Sequence, residues 1–481
     1  MTISTTAVRA ITPLACLVLW TGCDLAPKYS TPEVQTPGAF KELTAEQSKT
    51  VDGWKTAQPQ DTAIRGNWWE TFHDSSLNAL ETQVAGSNQN VAAALANFQA
   101  ARAIVKQSRS QYFPTVGAGA SADRSHQASP TASTATEYAA GFDAEWELDL
   151  WGRIHNTVEA SSREAQATSA DLAGVQLTVQ AEVAADYFQL RALDAQKRLL
   201  EATVISYQES LQLTEAQSRA GLLSGQDTAQ AETLLDITRA QLTDLGIQRS
   251  LLEHAIATLV GTPASLFSIA EDAQTGQAVA IPYGVPSQLL ERRPDIAAAE
   301  RRVAEANAQI GVARAAYFPT ITLSGSIGVQ GSSLGNLASG PGLVWSVGAA
   351  LAQTLFDGGK RKAVTEQAQA VYRGTVANYR QTVLVAFQET EDNLATLRIL
   401  SQELEQQNAA VDASKRYLAL ATARYQAGAD TYLNVITAQV LLLDNQRTTT
   451  NLRMQQMTSS VQLVKALGGG WDPSHPTDAA P

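Results

Sequence analysis

The residue arrangements that could make or break bonds are few, and each lacks what its chemistry requires. Gly331-Ser332-Ser333-Leu334-Gly335 has the spacing of a nucleophile elbow, which needs a strand before the serine and a helix after it. The residues that follow are Asn, Ala, Ser, Gly and Pro, the composition of a surface loop, so the match reads as chance. The five histidines (His73, His126, His155, His254 and His475) are scattered, with no helical pair at metal-ligand spacing. Gly358-Gly359-Lys360 lacks the spacing of a phosphate loop. No cofactor or metal is expected, and the chain does not read as an enzyme. The strongest chemical pattern is non-covalent. Asp143, Glu145, Glu147 and Asp149 alternate with Phe142, Ala144, Trp146, Leu148 and Leu150. Strict alternation predicts a strand with one apolar face and one face of carboxylates in contact with water.

The elements that carry this stripe occur twice. Asn90-Val91-Ala92-Ala93-Ala94 leads after about five helical turns to Tyr112-Phe113-Pro114-Thr115. Asp295-Ile296-Ala297-Ala298-Ala299 leads in the same way to Tyr317-Phe318-Pro319-Thr320. Proline donates no backbone hydrogen bond and biases its predecessor away from helix, so each copy switches there from a helical period to a period of two. Strands are predicted from Thr115 and around Phe142–Leu150, then from Ile321 and around Leu343–Leu351. Each strand pair feeds a very long helix, Arg153 to Arg219 and roughly Arg361 to Ala427, with no proline inside either. At 1.5 Å per residue each would be about 100 Å long. Both turn at a glycine, Gly221 and Gly428, and return in helices starting at Asp227 and near Tyr432.

The resulting division is 1–22 signal peptide, 23–66 N-terminal arm, 67–262 first repeat, 263–293 connector, 294–467 second repeat and 468–481 tail. Aromatic content of 6% with abundant Ala, Gln, Ser and Thr suits closely packed long helices better than a compact globule. The net charge of −12 argues against a nucleic-acid partner. Arg9 precedes an apolar run from Ala10 to Trp20, too short to span a bilayer and suited to a secretory signal. Its end, Leu19-Trp20-Thr21-Gly22-Cys23, resembles a bacterial lipobox, with Trp20 in the place usually held by leucine. Cys23 is therefore expected to carry lipid. Asp24 resembles the residue that retains lipoproteins in the inner membrane of enteric bacteria. Cys16 lies within the signal, so the mature chain has no cysteine pair for a disulfide.

Four amphipathic strands cannot make a membrane structure alone, because an open sheet leaves bare N–H and C=O groups in hydrocarbon. Closure takes at least about eight strands, so two, three or four copies would have to pool theirs. Inward carboxylates would make the enclosed space wet and acidic, a duct favouring cations at its membrane end. A structural or adhesive coiled-coil assembly on the envelope is the reading from another class.

Several motifs together carry a resemblance. They are the lipobox followed by Pro27-Lys28-Tyr29, Leu289-Leu290-Glu291-Arg292-Arg293-Pro294-Asp295-Ile296, both Tyr-Phe-Pro-Thr copies and Ala466-Leu467-Gly468-Gly469-Gly470-Trp471. They resemble the NodT/OprM branch of the TolC-like outer-membrane efflux proteins across essentially the whole mature chain. The resemblance implies a long α-helical coiled-coil barrel in the periplasm continuous with a transmembrane β-barrel. Each chain would supply four strands, and the barrel would close only in a homotrimer of twelve. It also implies docking to a periplasmic adaptor and an inner-membrane resistance-nodulation-division pump, with small toxic molecules or drugs leaving the cell. An exit duct for exported proteins is the alternative within transport. By the same resemblance, Gly221 and Gly428 with their flanks, including Arg219 and Leu222, are periplasmic tips where the tunnel closes and the adaptor binds. Asp227 matches a gate carboxylate and Tyr425 an aromatic linking neighbouring helix pairs. Asn434 and Thr437 stand where relatives carry acidic residues, which puts a ring of carboxylates there in question and leaves Asp430 as the substitute.

Overall fold

The computed structural model describes residues 24–42, 67–127, 133–272, 290, 292–337 and 342–469. Cys23 and the signal lie outside the described residues, as do most of the arm, most of the connector and most of the tail. In chain order, a 3-10 turn at Trp68–Phe72 precedes α1 (Ser75–Ser87), α2 (Gln89–Ser110), β1 (Thr115–Gln127) and β2 (Ser133–Leu148). Then come α3 (Arg153–Arg219), α4 (Gly225–Leu259) and a 3-10 turn at Ala264–Leu266. The second half runs α5 (Pro294–Ala315), β3 (Thr320–Gly331), α6 (Leu334–Leu337), β4 (Leu343–Ala352), α7 (Lys360–Gln426) and α8 (Tyr432–Ala466). Lengths match pairwise: α2 and α5 have 22 residues, α3 and α7 have 67, and α4 and α8 have 35.

The chain separates into two units, each with its own contacts. The first takes residues up to Val34 together with Ala96–Ser169 and Ala298–Gln381, and so holds the sheet. Its four strands form an antiparallel meander in the order β1-β2-β3-β4. Thr115 pairs with Glu145, Leu148 with Ile321 and Thr320 with Ala352. Among the described residues the outer edges of β1 and β4 have no strand partner. The alternation read from sequence is kept, and its apolar side is open to solvent: Phe142 is 62% exposed, Trp345 71% and Val347 83%. Helix packing in this unit uses small residues. Ala160, Ala165 and Ala167 of α3 are buried, as are Ala304, Ala306 and Ala308 of α5. Short side chains lose little rotamer entropy on burial and let helix axes approach.

The second unit takes Gln35–Leu95, Ala170–Ala297 and residues from Thr382 onward. Its largest apolar cluster gathers Trp68, Trp69 and Phe72, the α1 residues Leu77, Leu80 and Val84, and Tyr187 and Phe188 of α3. Phe72 meets Phe188 at 5.0 Å between ring centres. The helix α1 starts where it does because the Asp74 carboxylate accepts from the N–H groups of Ser76 and Leu77 at 2.9 and 3.1 Å. The other oxygen of Asp74 accepts from the Tyr187 hydroxyl at 2.7 Å, fixing the cap to α3. Each fully buried leucine of α1 contributes about 1.5–3 kcal/mol.

Two expectations are corrected. The strand β2 begins earlier than the alternation indicated and stops at Leu148, so Asp149 is not a strand residue. Its carboxylate caps α3 instead, accepting from the N–H of Ile154 at 2.9 Å and of His155 at 2.6 Å. And the residues after Ser333 are not purely loop, since the single turn of α6 follows.

Candidate functional site

The acidic stripe divides in two. Asp143, Glu145 and Glu147 lie within β2, and Asp149 lies just beyond its end. Asp143 leans over Gly117, its partner in the register, and its Oδ1 stands 2.8 Å from where a β-carbon on Gly117 would be. Glu147 makes a forked pair with Arg153, both bonds at 2.8 Å, and Asp149 caps α3 as described. These two carboxylates join the sheet to the start of a helix, a role the alternating pattern gave no sign of. The serine of the elbow-like segment has no imidazole bonded to it among the described residues; His126 Nδ1 pairs instead with Thr134 Oγ1 at 2.9 Å. No group of metal-binding side chains occurs among the described residues. No described helix is long and apolar enough to cross a membrane.

The two glycine turns are built alike. Gly221 has φ of +76° and Gly428 of +72°. Leu222 N–H reaches back to Gln217 O and Ala429 N–H to Arg424 O, each at 2.9 Å, closing the last helical turn in a Schellman arrangement. A β-carbon at either glycine would meet nothing within 4 Å, so the left-handed backbone and not lack of space demands glycine. At the first turn Arg219 Nε donates to Glu215 O at 3.3 Å, and Leu222 is 75% exposed.

The next helix starts with Asp227 in a capping box: its carboxylate accepts from the Ser224 N–H at 3.3 Å and also from Ser224 Oγ at 2.8 Å. The second turn uses Asp430, which accepts from Thr431 N–H at 2.8 Å, Asn434 Nδ2 at 2.5 Å and Arg424 Nε at 3.2 Å. The Thr431 amide first, then Asn434 and Arg424, hold the Asp430 carboxyl below its usual range. Thr437 donates to Leu433 O within its own helix.

The fold brings the two tip regions together. Tyr425 donates to Gln217 Oε1 and lies 5.3 Å from the Tyr432 ring. Burial, then the negative charge of Asp227, pushes the Tyr425 hydroxyl up, so its proton stays on to donate. Around this bond Ala231 of α4, Ala421 of α7 and Val435 and Ala438 of α8 form a buried cluster with Leu211 of α3. Gln217 was missed from sequence because a polar residue on a long helix carries no mark of its distant partner.

A further site was not foreseen. Residues 24–29 run along α5 from the start of α3: Asn156 Nδ2 of α3 donates to Asp24 Oδ1 at 2.9 Å, and from α5 Arg314 donates to Leu25 O at 3.2 Å and Asn307 Nδ2 to Pro27 O at 2.7 Å. Tyr29 donates to the Glu300 carboxylate, and burial first, then that bond, raises its pKa. In the other unit Phe40 is buried beside Leu394 and Leu463, and the Lys41 N–H donates to Glu391 at 2.7 Å.

The profile of the outer membrane efflux protein family matches residues 80–262 and 285–469. The solvent efflux pump outer membrane protein SrpC of Pseudomonas putida is 33% identical over 469 residues, which span 96% of this chain and 98% of that relative. The pyoverdine export outer membrane protein OpmQ of Pseudomonas aeruginosa is 30% identical over 474 residues, 95% of this chain and 96% of that relative. Among solved structures, the outer-membrane channel OprN superposes with a TM-score of 0.85 at 30% identity, covering 94% of this chain and 100% of that one.

Proposed function

The chain belongs to the outer membrane efflux protein family, and on that premise we propose that it works as a lipid-anchored homotrimer. Three copies pool their strands into a twelve-stranded barrel, and the long helices form a periplasmic tunnel beneath it. The exit duct is passive. An inner-membrane resistance-nodulation-division pump supplies the energy, and a periplasmic adaptor docks around the tips at Gly221 and Gly428. The names of the relatives cited above range from solvent to pyoverdine, which supports small organic molecules as cargo and selection by the pump, not by the wet duct. The pairwise helix lengths support the two-repeat organisation.

The observation that carries this reading is the sheet: four strands, bare at β1 and β4, with Phe142, Trp345 and Val347 exposed on its apolar side. Such edges are intolerable in hydrocarbon unless another copy covers them. The wet face, with Asp143 and Glu145, then lines the lumen and favours cations.

At the tips the closed state rests on Tyr425 with Gln217 and on the Asp227 capping box. Opening moves the helix pairs outward and breaks the bond from Tyr425 to Gln217, while the capping box of Ser224 and Asp227 travels with its own helix. Asp430 is paired with Arg424, so it substitutes only in part for the acidic residues absent at Asn434 and Thr437. The test is conductance of the purified protein in a planar bilayer. Wild type is expected to give a small, stable conductance, and Tyr425→Phe combined with Asp227→Ala a severalfold larger one. Equal conductances would remove both residues from the gate. No solute passage in liposome swelling by either protein would remove the duct itself.

A further inference from the structure

We infer that Gln353–Leu355 becomes strand when a second copy of the chain joins β4, lying against Val116–Ala118 of that copy with the Thr354 hydroxyl bonded to its Asp143. This rests on the pooled barrel proposed above and adds the register of its joints and a side-chain bond that bridges them.

The chain holds an example of such a joint, since β2 and β3 belong to different repeats. Pairing of β1 with β2 ends at Thr115 opposite Glu145. Yet β2 runs three residues further, and Trp146, Glu147 and Leu148 are paired only with β3, opposite Leu323, Thr322 and Ile321. In the second repeat the pairing of β3 with β4 ends at Thr320 opposite Ala352, and there β4 stops. The two ends correspond residue by residue. Trp146 Nε1 donates to Tyr112 O at 3.0 Å, and Gln353 Nε2 to Tyr317 O at 3.1 Å. Gly152 and Gly359 both take positive φ, and α3 and α7 start at the next residue. Gln353, Thr354 and Leu355 are thus the counterparts of Trp146, Glu147 and Leu148. What they lack is a strand beside them, and Leu355 is left 90% exposed.

Backbone amides stay extended where a partner strand satisfies them. Carrying the β2–β3 pairs over to β4 and the β1 of a second copy sets Leu355 against Val116, Thr354 against Gly117 and Gln353 against Ala118. Leu355 and Val116, the latter 67% exposed, then cover each other on the apolar face. Thr354 and Gly117 meet on the wet face. There Asp143, which is opposite Gly117 in its own copy, brings Oδ1 and Oδ2 to 2.8 and 3.0 Å from where a β-carbon on Gly117 would be. Its carboxylate therefore leans over β1 toward the free margin, and no group among the described residues donates a hydrogen bond to it. Directly opposed residues of an antiparallel pair hold their β-carbons about 4.5–5.5 Å apart. A hydroxyl on Thr354 is then within bonding reach of a carboxylate seated over Gly117, and it supplies the donor that an ionised carboxylate needs.

Cysteine pairs test the register. Within one chain β1 and β4 are separated by two strands, about 14 Å at the usual spacing, so a disulfide between them joins copies. Gly117→Cys with Thr354→Cys should oxidise in membranes to a covalent trimer on a non-reducing gel. The yield should be severalfold above that of Gly119→Cys with Thr354→Cys or of Gly117→Cys with Ala352→Cys, each single variant setting the background. Thr354→Val should lower the temperature at which the detergent-solubilised trimer dissociates by several degrees. Thr354→Ser should keep the wild-type value, and Asp143→Ala should add no further loss to Thr354→Val. If a shifted pair crosslinks best, or Thr354→Val and Thr354→Ser dissociate alike, the inference falls and the trimer stands. If no pair joins copies, the pooled barrel falls with it.

Discussion

Glu81 sits on α1 at 0% exposure, and neither of its carboxylate oxygens has a hydrogen-bond partner. Burial among apolar neighbours pushes its pKa up to about 9, because a carboxylate there would give up its hydration for nothing. Folded and unfolded states then differ in protons bound. Below pH 4.5 both are protonated, and the side chain contributes its packing in full. From pH 4.5 to about 9 the unfolded chain has released its proton while the folded chain keeps it. Stability therefore falls as pH rises, by about 1.4 kcal/mol per unit through this window. Glu81→Gln removes the titration and keeps the shape. The variant is expected to unfold at a higher temperature than wild type at pH 8, with the gap closing as the pH approaches 4.5. Thermal melts followed by circular dichroism at four or five pH values check this, and parallel pH slopes for the two proteins would contradict it.

Among the elements, the start of the connector is fixed to α3 and α4 by a buried charge cluster. Asp194, 3% exposed, accepts from Arg191 at 3.1 Å and from Arg249 at 2.8 Å. The same guanidinium groups reach Ala270 O and Ile269 O, and Asp272 N–H donates to Asp194. Removing the shared carboxylate leaves the buried Arg191 without a carboxylate and Arg249 with Glu253 alone, a loss of up to about 3–5 kcal/mol when a buried partner is taken away. Asp194→Ala should thus lose hydrogen-exchange protection first in residues 267–272, ahead of the helix tips. Arg198→Ala, which removes a 3.8 Å contact between two exposed groups, should change protection little. If both variants exchange like wild type, the cluster does not hold the connector. The sequence could not announce it, because Arg249 and the Asp272 amide lie 55 and 78 positions from Asp194, and pairing across helices has no period. What was legible had a local cause. The bounds of α3 followed from the absence of proline and from Gly221, and the strands from alternation. Alternation also misled: it runs on through Asp149 and Leu150, but the first free amides of α3 compete for the Asp149 carboxylate and end the strand. That Gly221 and Gly428 end the two long helices was legible from residue type alone, whereas Gln217, Asn156 and Gly311 depend on what faces them.

For the whole molecule, the decisive feature is a sheet with two unpaired margins, and the register shows how to disturb one of them alone. Gln330 N–H donates to Gly342 O, so this pair is hydrogen-bonded across β3 and β4. Antiparallel ladders alternate bonded and non-bonded pairs. Leu343, Trp345, Val347, Ala349 and Leu351 fall in the alternate set, and their amides point away from β3 toward the free margin. Proline at one of these positions removes a donor from that margin and none from the β3–β4 ladder. Ala349 is the gentlest choice, being small and opposite Leu323 in the register. In a closed barrel Ala349→Pro costs a hydrogen bond to the β1 margin of the next copy and leaves an acceptor there bare in hydrocarbon, at several kcal/mol per copy. In an isolated chain it costs almost nothing. Ala350→Pro is the control, since Ala350 pairs with Thr322 in the bonded set and the change damages the sheet inside one copy. Ala349→Pro is therefore expected to shift the detergent-solubilised protein from trimer to monomer in mass measured by light scattering, with helical content retained. A stable trimer from Ala349→Pro would mean that the copies do not meet along β4, and the twelve-stranded barrel would have to be abandoned.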